Sequence, residues 1–316
     1  MPKNPPRIAI VGSCVVDLTT FTDEFPRAGE SLFGKHFDMG YGGKGANQAV
    51  AARLCGAEVA MVGRVGNDLF GPGTIENFRA RGIDASHVKI VEGVASGVAP
   101  IFVESSGQNR IVVVTGANDH LLPADVDAAA PLLAQSGCIV LQLEVPLETV
   151  YHTVRFAHSR GIRSILNPAP ARKIDIAAVR DVDYLIPNEH EAEGLTGLAV
   201  GTVDEARRCA AWLREQGLRR VIITLGPRGA YLSTPECEEL VPPHAVDARD
   251  TTGAGDAFIG SFAVFLAEGC DERSAVARAN VYAALSTMNV GTQKSFTSRT
   301  EFDVAWQQYA AKQGAK

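Results

Sequence analysis

From residue 122 onward, short apolar β-branched runs alternate with longer segments of helical character. Such strand-and-helix alternation predicts strands at 138–143, 162–166, 184–186 and 220–225. The helices between and before them are predicted at 122–135, 147–160, from 189 and 203–216. Strands separated by helices of ten or more residues pair in parallel. We therefore predict an α/β fold with a mostly parallel central sheet and helices on both faces.

The amino-terminal half interrupts this pattern with two stretches that are rich in β-strand and poor in helix. One covers roughly 15–43. The other covers roughly 93–116 and contains β runs at 97–104 and 110–114, joined by turn-forming residues. The remaining predicted strands are 7–11 and 58–65, and the remaining predicted helices are 46–54, 69–81, 255–268, 271–289 and 300–312.

Composition excludes several classes of function. The net charge is −6 and the pI is near 5.7, which argues against a nucleic-acid or anionic-membrane binder. No apolar run approaches the ~18 residues of a spanning helix, and the start shows no signal peptide. The six cysteines have no CxxC spacing, so we expect reduced thiols and a cytoplasmic location.

The sequence DTTGAGD at 250–256 leads directly into an apolar helical segment. Small residues at a helix start leave backbone N–H groups exposed, and these donors form an anion site with the helix dipole. Asp256 lies in the first turn. It is either an ordinary acid at a helix start or, beside a bound phosphate, the general base for a hydroxyl nucleophile.

The sequence GYGGKGANQ at 40–48 contains the glycine spacing of a dinucleotide-binding loop. Two observations oppose that interpretation, because the first strand lies far upstream at 7–11 and Glu58 begins a strand where the ribose-binding acid should end one. A phosphate-binding P-loop is also excluded, since glycine follows Lys44. What remains is a turn presenting Lys44 and Asn47 to a polyhydroxylated substrate, or a helix start with glycines for turn geometry.

Polar residues follow four successive predicted strands. They are Glu144, Asn167, the segment 188–191 and the segment 224–229. The carboxyl ends of parallel strands are where open α/β sheets bind ligands. Asn188 and Glu191 could form an outer shell for Mg²⁺, because this ion keeps several of its waters. Each of the polar residues at the four strand ends could equally be a helix cap or a surface acid.

The segments 40–48 and 250–256 together resemble the two signatures of the ribokinase-like sugar and nucleoside kinases. The pieces QLE at 142–144, NPAPA at 167–171 and PNExE at 187–191 extend the resemblance over essentially the whole chain. The resemblance implies one ribokinase-like kinase domain over 1–316, with a small β-sheet lid formed by the two β-rich stretches. It implies transfer of the γ-phosphoryl group of ATP to the 5-hydroxyl of D-ribose, with Mg²⁺.

By matching motif positions, the resemblance also implies roles for individual residues. Asp256 would be the base, and the anion hole would comprise Gly253, Ala254, Gly255 and Asp256. The sugar would contact Val15, Asp17, Gly43, Lys44, Asn47, Glu144 and Asp256. The nucleotide would contact Asn188, Thr224, Leu225, Gly226, Pro227, Arg228, Gly229, Gly255 and Asn280. A site for an activating monovalent cation, K⁺, would comprise Asp250, Thr252, Ser286, Asn289, Gly291 and Ser295.

One position departs from the family pattern. Many bacterial members carry asparagine in the segment Gly-Ser-x-Asn-x-Asp, and here Val15 occupies that position, which removes one potential hydrogen bond to the sugar. Alternatives are a kinase of the same fold for another sugar or a nucleoside, and a sugar- or nucleotide-binding regulator without catalysis. The resemblance further implies a homodimer formed through the lid, which would cover exposed strand edges.

Overall fold

The computed structural model describes residues 5–314, so the predicted domain span 1–316 includes residues 1–4 and 315–316, which lie outside the described residues. The strands are β1 (Arg7–Val11), β2 (Val15–Thr22), β3 (His36–Gly42), β4 (Glu58–Gly66), β5 (Asp84–Val91), β6 (Gly97–Glu104), β7 (Asn109–Ile111), β8 (Cys138–Leu141), β9 (Arg163–Leu166), β10 (Tyr184–Leu185), β11 (Val221–Thr224), β12 (Ala230–Ser233) and β13 (Glu238–Val241). The helices are α1 (Lys44–Leu54), α2 (Phe70–Ala80), α3 (Pro123–Ala128), α4 (Ala130–Leu133), α5 (Leu147–Arg160), α6 (Ile176–Val179), α7 (Glu189–Thr196), α8 (Val203–Glu215), α9 (Ala254–Ala267), α10 (Glu272–Ser286) and α11 (Arg299–Gly314).

Nine strands form the central sheet in the order β13-β12-β11-β10-β9-β8-β1-β4-β5. All neighbours pair in parallel except β11 with β12 and β12 with β13. The prediction of a mostly parallel sheet is confirmed. The sequence pattern missed β5 at one edge of the sheet and the pair β12 and β13 at the other.

Hydrophobic cores lie on both faces of this sheet. In β1, Ile8 and Ile10 belong to a core with α1, α9 and α10, whereas Ala9 and Val11 belong to a second core with α5 and α8. This alternation follows from the two-residue period of a strand. The prediction of helices on both faces is confirmed.

A separate four-stranded sheet has the order β3-β2-β6-β7. It joins the two β-rich stretches of the sequence, because β2 pairs in parallel with β6 along its full length of eight residues. We refer to it as the small sheet.

Several predicted boundaries were wrong. The predicted helix 122–135 is two helices, since Pro131 cannot donate to the carbonyl oxygen of Asp127 and a continuous helix would lose that bond. The strand predicted at 138–143 ends at Leu141, and the helix predicted at 271–289 ends at Ser286.

The run predicted at 110–114 is a short strand, β7, followed by an isolated bridge between Val114 and Val98. No helix within 5–314 is long and apolar enough to cross a membrane.

Candidate active site

Two helices begin at the same place in the fold, each after a glycine with positive φ. Gly43 precedes α1 with φ 87°, and Gly253 precedes α9 with φ 78°. A Cβ at Gly43 would lie 2.7 Å from the backbone nitrogen of Val15, and one at Gly253 would lie 2.5 Å from Cγ2 of Thr292. Both turns therefore require glycine.

A cavity of about 160 Å³ lies at the start of α9. Its lining residues are Lys44, Asn167, Ile186, Asn188, Glu191, Thr224, Gly253, Gly255, Asp256 and Ile259. The two glycine-rich motifs and three of the four polar strand ends thus meet at one point, as expected for the carboxyl edge of a parallel sheet.

The first turn of α9 offers fewer open donors than the sequence implied. The N–H of Ala254 donates to the carbonyl oxygen of Thr251 at 3.2 Å. Among the described residues, the N–H groups of Gly253, Gly255 and Asp256 have no partner, and a Cβ at Gly255 would meet open space. Of the four residues predicted for the anion hole, Ala254 therefore has its N–H engaged, and the N–H groups of the other three are open.

Asp256 is buried and held by two side-chain amides. Its Oδ1 accepts from Nε2 of Gln48 at 2.9 Å, and its Oδ2 accepts from Nδ2 of Asn47 at 3.0 Å. Burial raises the pKa of Asp256, while Lys44 and both amides oppose that rise and Glu144 adds to it. The carboxyl group therefore sits between a desolvating environment and a neighbouring cation, as general bases do.

Glu144 connects the loop after β8 to the start of α1. Its Oε2 accepts from the backbone N–H of Lys44 at 2.9 Å and from the hydroxyl of Ser13. Burial acts to lower the pKa of Lys44, but the carboxylates of Asp256, Glu144 and Glu191 outweigh burial and raise it. Lys44 is therefore a cation surrounded by acids.

Asp17 lies on β2 opposite Gly40, beside Gly42. A Cβ at Gly42 would lie 2.3 Å from Oδ2 of Asp17, so the carboxylate occupies the space that glycine leaves. The pKa of Asp17 is raised to about 6, mainly by burial and then by the charges of Glu144 and Asp256, against a hydrogen bond from Thr292.

Asn188 and Glu191 form a reciprocal cap at the start of α7. Oδ1 of Asn188 accepts from the N–H of Glu191 at 2.8 Å, and Oε2 of Glu191 accepts from the N–H of Asn188 at 2.9 Å. The alternative interpretation as a helix cap is confirmed. Glu191 still lines the cavity, and burial raises its pKa.

The chain matches a known protein family over most of its length. The model of the pfkB family carbohydrate kinases matches residues 5–299. This chain belongs to that family. The kinase is 46% identical over 297 residues to a deoxyribokinase of Salmonella typhi, covering 94% of this chain and 97% of the relative. It is 40% identical over 296 residues to a ribokinase of Bacillus subtilis, covering 94% and 98%.

A solved structure of the Arabidopsis thaliana ribokinase, complexed with ribose and ATP, matches with a TM-score of 0.88. The identity is 29%, and the match covers 96% of this chain and 98% of that one. The chain is therefore an ATP-dependent sugar kinase with the ribokinase-like fold. The two curated relatives are named for different pentoses.

In this kinase the predicted nucleotide residues fall into two groups. Thr224 forms a bridge with Asn188 at the cavity, and the turn 226–228 follows it. The guanidinium of Arg228 pairs with Glu189, and the Leu225 side chain is buried in the core. Leu225 could therefore face a nucleotide only through its backbone.

The second group lies beside the β12–β13 hairpin. A Cβ at Gly229 would lie 2.2 Å from the carbonyl oxygen of Val241, and Nδ2 of Asn280 donates to that oxygen at 3.2 Å and to Pro242 at 3.0 Å. Gly229 and Asn280 are thus neighbours, and Pro227 lies in the turn two residues before Gly229.

The kinase brings the predicted monovalent-cation segments together. Oδ1 of Asp250 accepts from the N–H of Thr252 at 2.9 Å and from its hydroxyl at 2.6 Å, while Oδ2 accepts from the N–H of Gly291 at 2.8 Å. These bonds lower the pKa of Asp250 although burial acts to raise it. The carboxylate is therefore anionic at neutral pH.

The remaining cation candidates differ in exposure. Ser286 ends α10, Asn289 is exposed, and Ser295 is buried and donates to the carbonyl oxygen of Thr292. Lys294, next to Ser295 in the sequence, has its Nζ 2.9 Å from a carboxylate oxygen of Asp38 in the small sheet. Within 5–314 no group of three or more histidine, cysteine or acidic side chains could hold a metal.

Three glutamines that were not among the predicted site residues surround Asp256 and Asn47. Gln48 contacts Asp256 directly, and Gln142 and Gln293 contact Gln48 and Asn47. Two of them carried a signal, since Gln48 is an amide in an otherwise Ala- and Val-rich helix segment and Gln142 lies in the piece QLE at 142–144. The argument against a dinucleotide-binding loop is confirmed, because 40–42 belong to the antiparallel strand β3 and not to a parallel βαβ unit.

Proposed function

We propose that the kinase transfers the γ-phosphoryl group of ATP to the 5-hydroxyl of D-ribose, giving ADP and D-ribose 5-phosphate. The observation that carries this proposal is the buried Asp256 carboxylate in the first turn of α9, next to Lys44 and to open N–H donors. A base and an anion site on the same turn are what phosphoryl transfer to an alcohol requires.

In the proposed reaction, Asp256 accepts the proton of the 5-hydroxyl as that oxygen forms a bond to the γ-phosphorus. The bond from the γ-phosphorus to the bridging oxygen breaks, and ADP leaves with the electron pair. The N–H groups of Gly255 and Asp256 stabilise the transferred group, and Lys44 offsets its charge. The catalytic set is thus Asp256 with the turn 253–255.

The sugar site would be formed by Asp17, Gly43, Lys44, Asn47 and Glu144. The charges of Glu144 and Asp256 both raise the pKa of Asp17, and Glu144 also raises the pKa of Asp256, which supports a single compact acidic pocket. Carboxylates accept the hydroxyl hydrogen bonds that a pentose donates.

Replacing Asp17 by asparagine tests this pocket. Because the pKa of Asp17 is raised to about 6, its carboxylate takes up a proton as the pH falls through 6 and loses acceptor capacity. We expect wild-type kcat/KM for the sugar to fall below that pH, which gives its pH profile an acid limb. Asp17→Asn should lower kcat/KM by about ten- to a hundredfold and lose this acid limb, with ATP affinity unchanged. An acid limb identical in Asp17→Asn would assign the titration to another group and remove Asp17 from the sugar site.

A second candidate substrate is 2-deoxy-D-ribose. Val15 is buried beside the glycine turn at 42–43, where an asparagine would offer a hydrogen bond, and one curated relative is a deoxyribokinase. An apolar wall does not penalise a missing hydroxyl, whereas a site built to bind that hydroxyl does.

Val15→Asn tests the choice of pentose. We expect the ratio of kcat/KM for ribose to that for 2-deoxyribose to rise by about tenfold, because the asparagine adds a hydrogen bond that only ribose can use. Val15→Ala is the matched control and should leave the ratio within about twofold. An unchanged ratio in Val15→Asn would show that position 15 does not contact the sugar.

Mg²⁺ fits the site as an ion held mainly by substrate phosphates. Asn188 and Glu191 would contact its waters, and no all-protein cage is needed because Mg²⁺ uses one or two carboxylates with several waters. When bound, it would neutralise charge on the phosphates. K⁺ is proposed at Asp250 and the neighbouring carbonyl oxygens.

We further propose that the chain forms a single cytoplasmic domain and that the small sheet acts as its lid. We also propose that two copies form a homodimer through this sheet. The small sheet exposes Phe37, Met39 and Ile111 on strands that form its edges. A second copy would cover these side chains. Sedimentation should give twice the monomer mass, and Phe37→Lys should shift it to monomer. A monomeric wild type would contradict the dimer.

An ADP-release assay with a substrate panel tests the function. D-ribose, 2-deoxy-D-ribose, D-fructose and adenosine would each be supplied with ATP and Mg²⁺. We expect a pentose to give the highest kcat/KM. Highest activity on fructose or adenosine would assign another substrate, and no substrate-dependent ADP release would favour the non-catalytic regulator.

A further inference from the structure

We infer that Gln293 is a positioning residue that orients the base Asp256 through Asn47, an inference that rests on the proposed role of Asp256. Gln293 is 5% exposed and lies in the loop between α10 and α11. Its Nε2 donates to Oδ1 of Asn47 at 3.2 Å, and Nδ2 of Asn47 donates to Oδ2 of Asp256 at 3.0 Å.

The contact between Gln293 and Asn47 belongs to a longer chain of hydrogen bonds in which every donor points toward Asp256. Nε of Arg81 donates to Oδ1 of Asn77 at 3.1 Å, and Nδ2 of Asn77 donates to Oε1 of Gln293 at 3.2 Å. A guanidinium can only donate, so it fixes the direction of every amide that follows. The chain therefore presents the NH₂ group of Asn47, and not its oxygen, to Asp256.

The other oxygen of Asp256 ends a shorter chain. Nε2 of Gln142 donates to Oε1 of Gln48 at 2.6 Å, and Nε2 of Gln48 donates to Oδ1 of Asp256 at 2.9 Å. Oε1 of Gln142 is buried and has no partner among the described residues. Of the two series of hydrogen bonds, the one through Gln293 therefore begins at a charged donor, Arg81, and the one through Gln142 does not.

This arrangement leaves Asp256 able to act. Each carboxylate oxygen has room for two hydrogen bonds, and one amide occupies each, so acceptor capacity remains for a substrate hydroxyl. The charged groups facing Asp256 are the cation Lys44 on α1 and the carboxylates of Asp17 on β2, Glu144 after β8 and Glu191 on α7. Three carboxylates oppose its ionised form, so each donated N–H matters.

Gln293→Met tests the inference because methionine keeps the length of the side chain but can neither hold Asn77 nor donate to Asn47. We expect the acid limb of kcat, measured with saturating sugar and ATP, to move up by about 0.5–1 pH unit. Asp256 then needs a higher pH to ionise. We expect kcat at neutral pH to fall about three- to tenfold, with KM for ATP within about twofold.

Two further variants keep the test decisive. Asn77→Ala removes a half-buried side chain of α2 and should shift the limb in the same direction, even if Gln293→Met folds poorly. Thr149→Val is the control. It removes a buried hydroxyl that donates to the carbonyl oxygen of Leu121 and takes no part in the hydrogen bonds leading to Asp256. It should lower the melting temperature without moving the acid limb of kcat.

An unchanged kcat–pH profile in both Gln293→Met and Asn77→Ala would overturn the inference, as would an equal shift in Thr149→Val. Asp256→Asn separates this failure from failure of the proposed function. If Asp256→Asn is inactive and both profiles are unchanged, only the positioning role fails. If Asp256→Asn is active, the assignment of the base fails as well.

Discussion

Replacing Asp256 by asparagine should lower kcat by about 10²–10⁴-fold or more while ATP affinity changes little. Asparagine keeps the shape of the side chain but cannot take the proton of the attacking hydroxyl. The nucleotide phosphates are expected to contact backbone N–H groups of Gly255 and residue 256, which the substitution retains. Steady-state rates with a pentose, together with calorimetric titration of ATP, would measure both quantities.

The matched control is Asp183→Asn. Asp183 accepts a hydrogen bond from the backbone N–H of Ser164 at 2.8 Å, just before β10 and away from the cavity. It tests the same change of charge and shape without touching the proposed base, and kcat should stay within about twofold of wild type. An Asp256→Asn variant that retained more than about a tenth of wild-type kcat would not be missing its general base.

Activation by a monovalent cation should be the second large effect. An ion held by Asp250 and carbonyl oxygens of the 286–295 segment would fix the turn that leads into 253–256, because Asp250 already joins Thr252 to Gly291. A displaced donor in an anion hole costs about 10²–10³ in kcat, so we expect K⁺ to raise kcat by up to that factor. Rates would be compared at constant ionic strength with K⁺, Na⁺ or Tris as the only monovalent cation.

The Asp250→Ala variant provides the control for this ion. It should lose the advantage of K⁺ over Tris, because the charged ligand is gone. Equal wild-type rates in all three salts would show that the hydrogen bonds of Asp250 alone hold the turn and would remove the cation site.

The fold could be predicted where the deciding interactions are local. The βα alternation after residue 122 gave the parallel sheet, and the positions of Glu144, Asn167 and Asn188 after strands gave the edge at which the site lies. The helix break at Pro131 was also visible, since proline removes a backbone donor, but the apolar period obscured it.

The rest of the site depends on contacts between residues distant in the chain. Gln293 reaches Asn47 across 246 positions, and Thr292 packs on Gly253 across the same turn that supports Asp256. Nothing in the local sequence distinguishes a glutamine that orients an active site from one that is solvated. The edge hairpin of β12 and β13 was missed because its strands are four residues each and have weak patterns.

Phosphoryl transfer to the 5-hydroxyl of a pentose is tested most directly by the ³¹P NMR spectrum of the product formed from a pentose, ATP and Mg²⁺. Transfer to the 5-hydroxyl places the phosphate oxygen on a methylene group, so we expect a new phosphomonoester triplet, coupled to two protons, that appears with ADP. The same reaction with 5-deoxy-D-ribose should give no phosphomonoester. A doublet, which would place phosphate on a ring carbon with one proton, or loss of ATP without any sugar phosphate, would contradict the account.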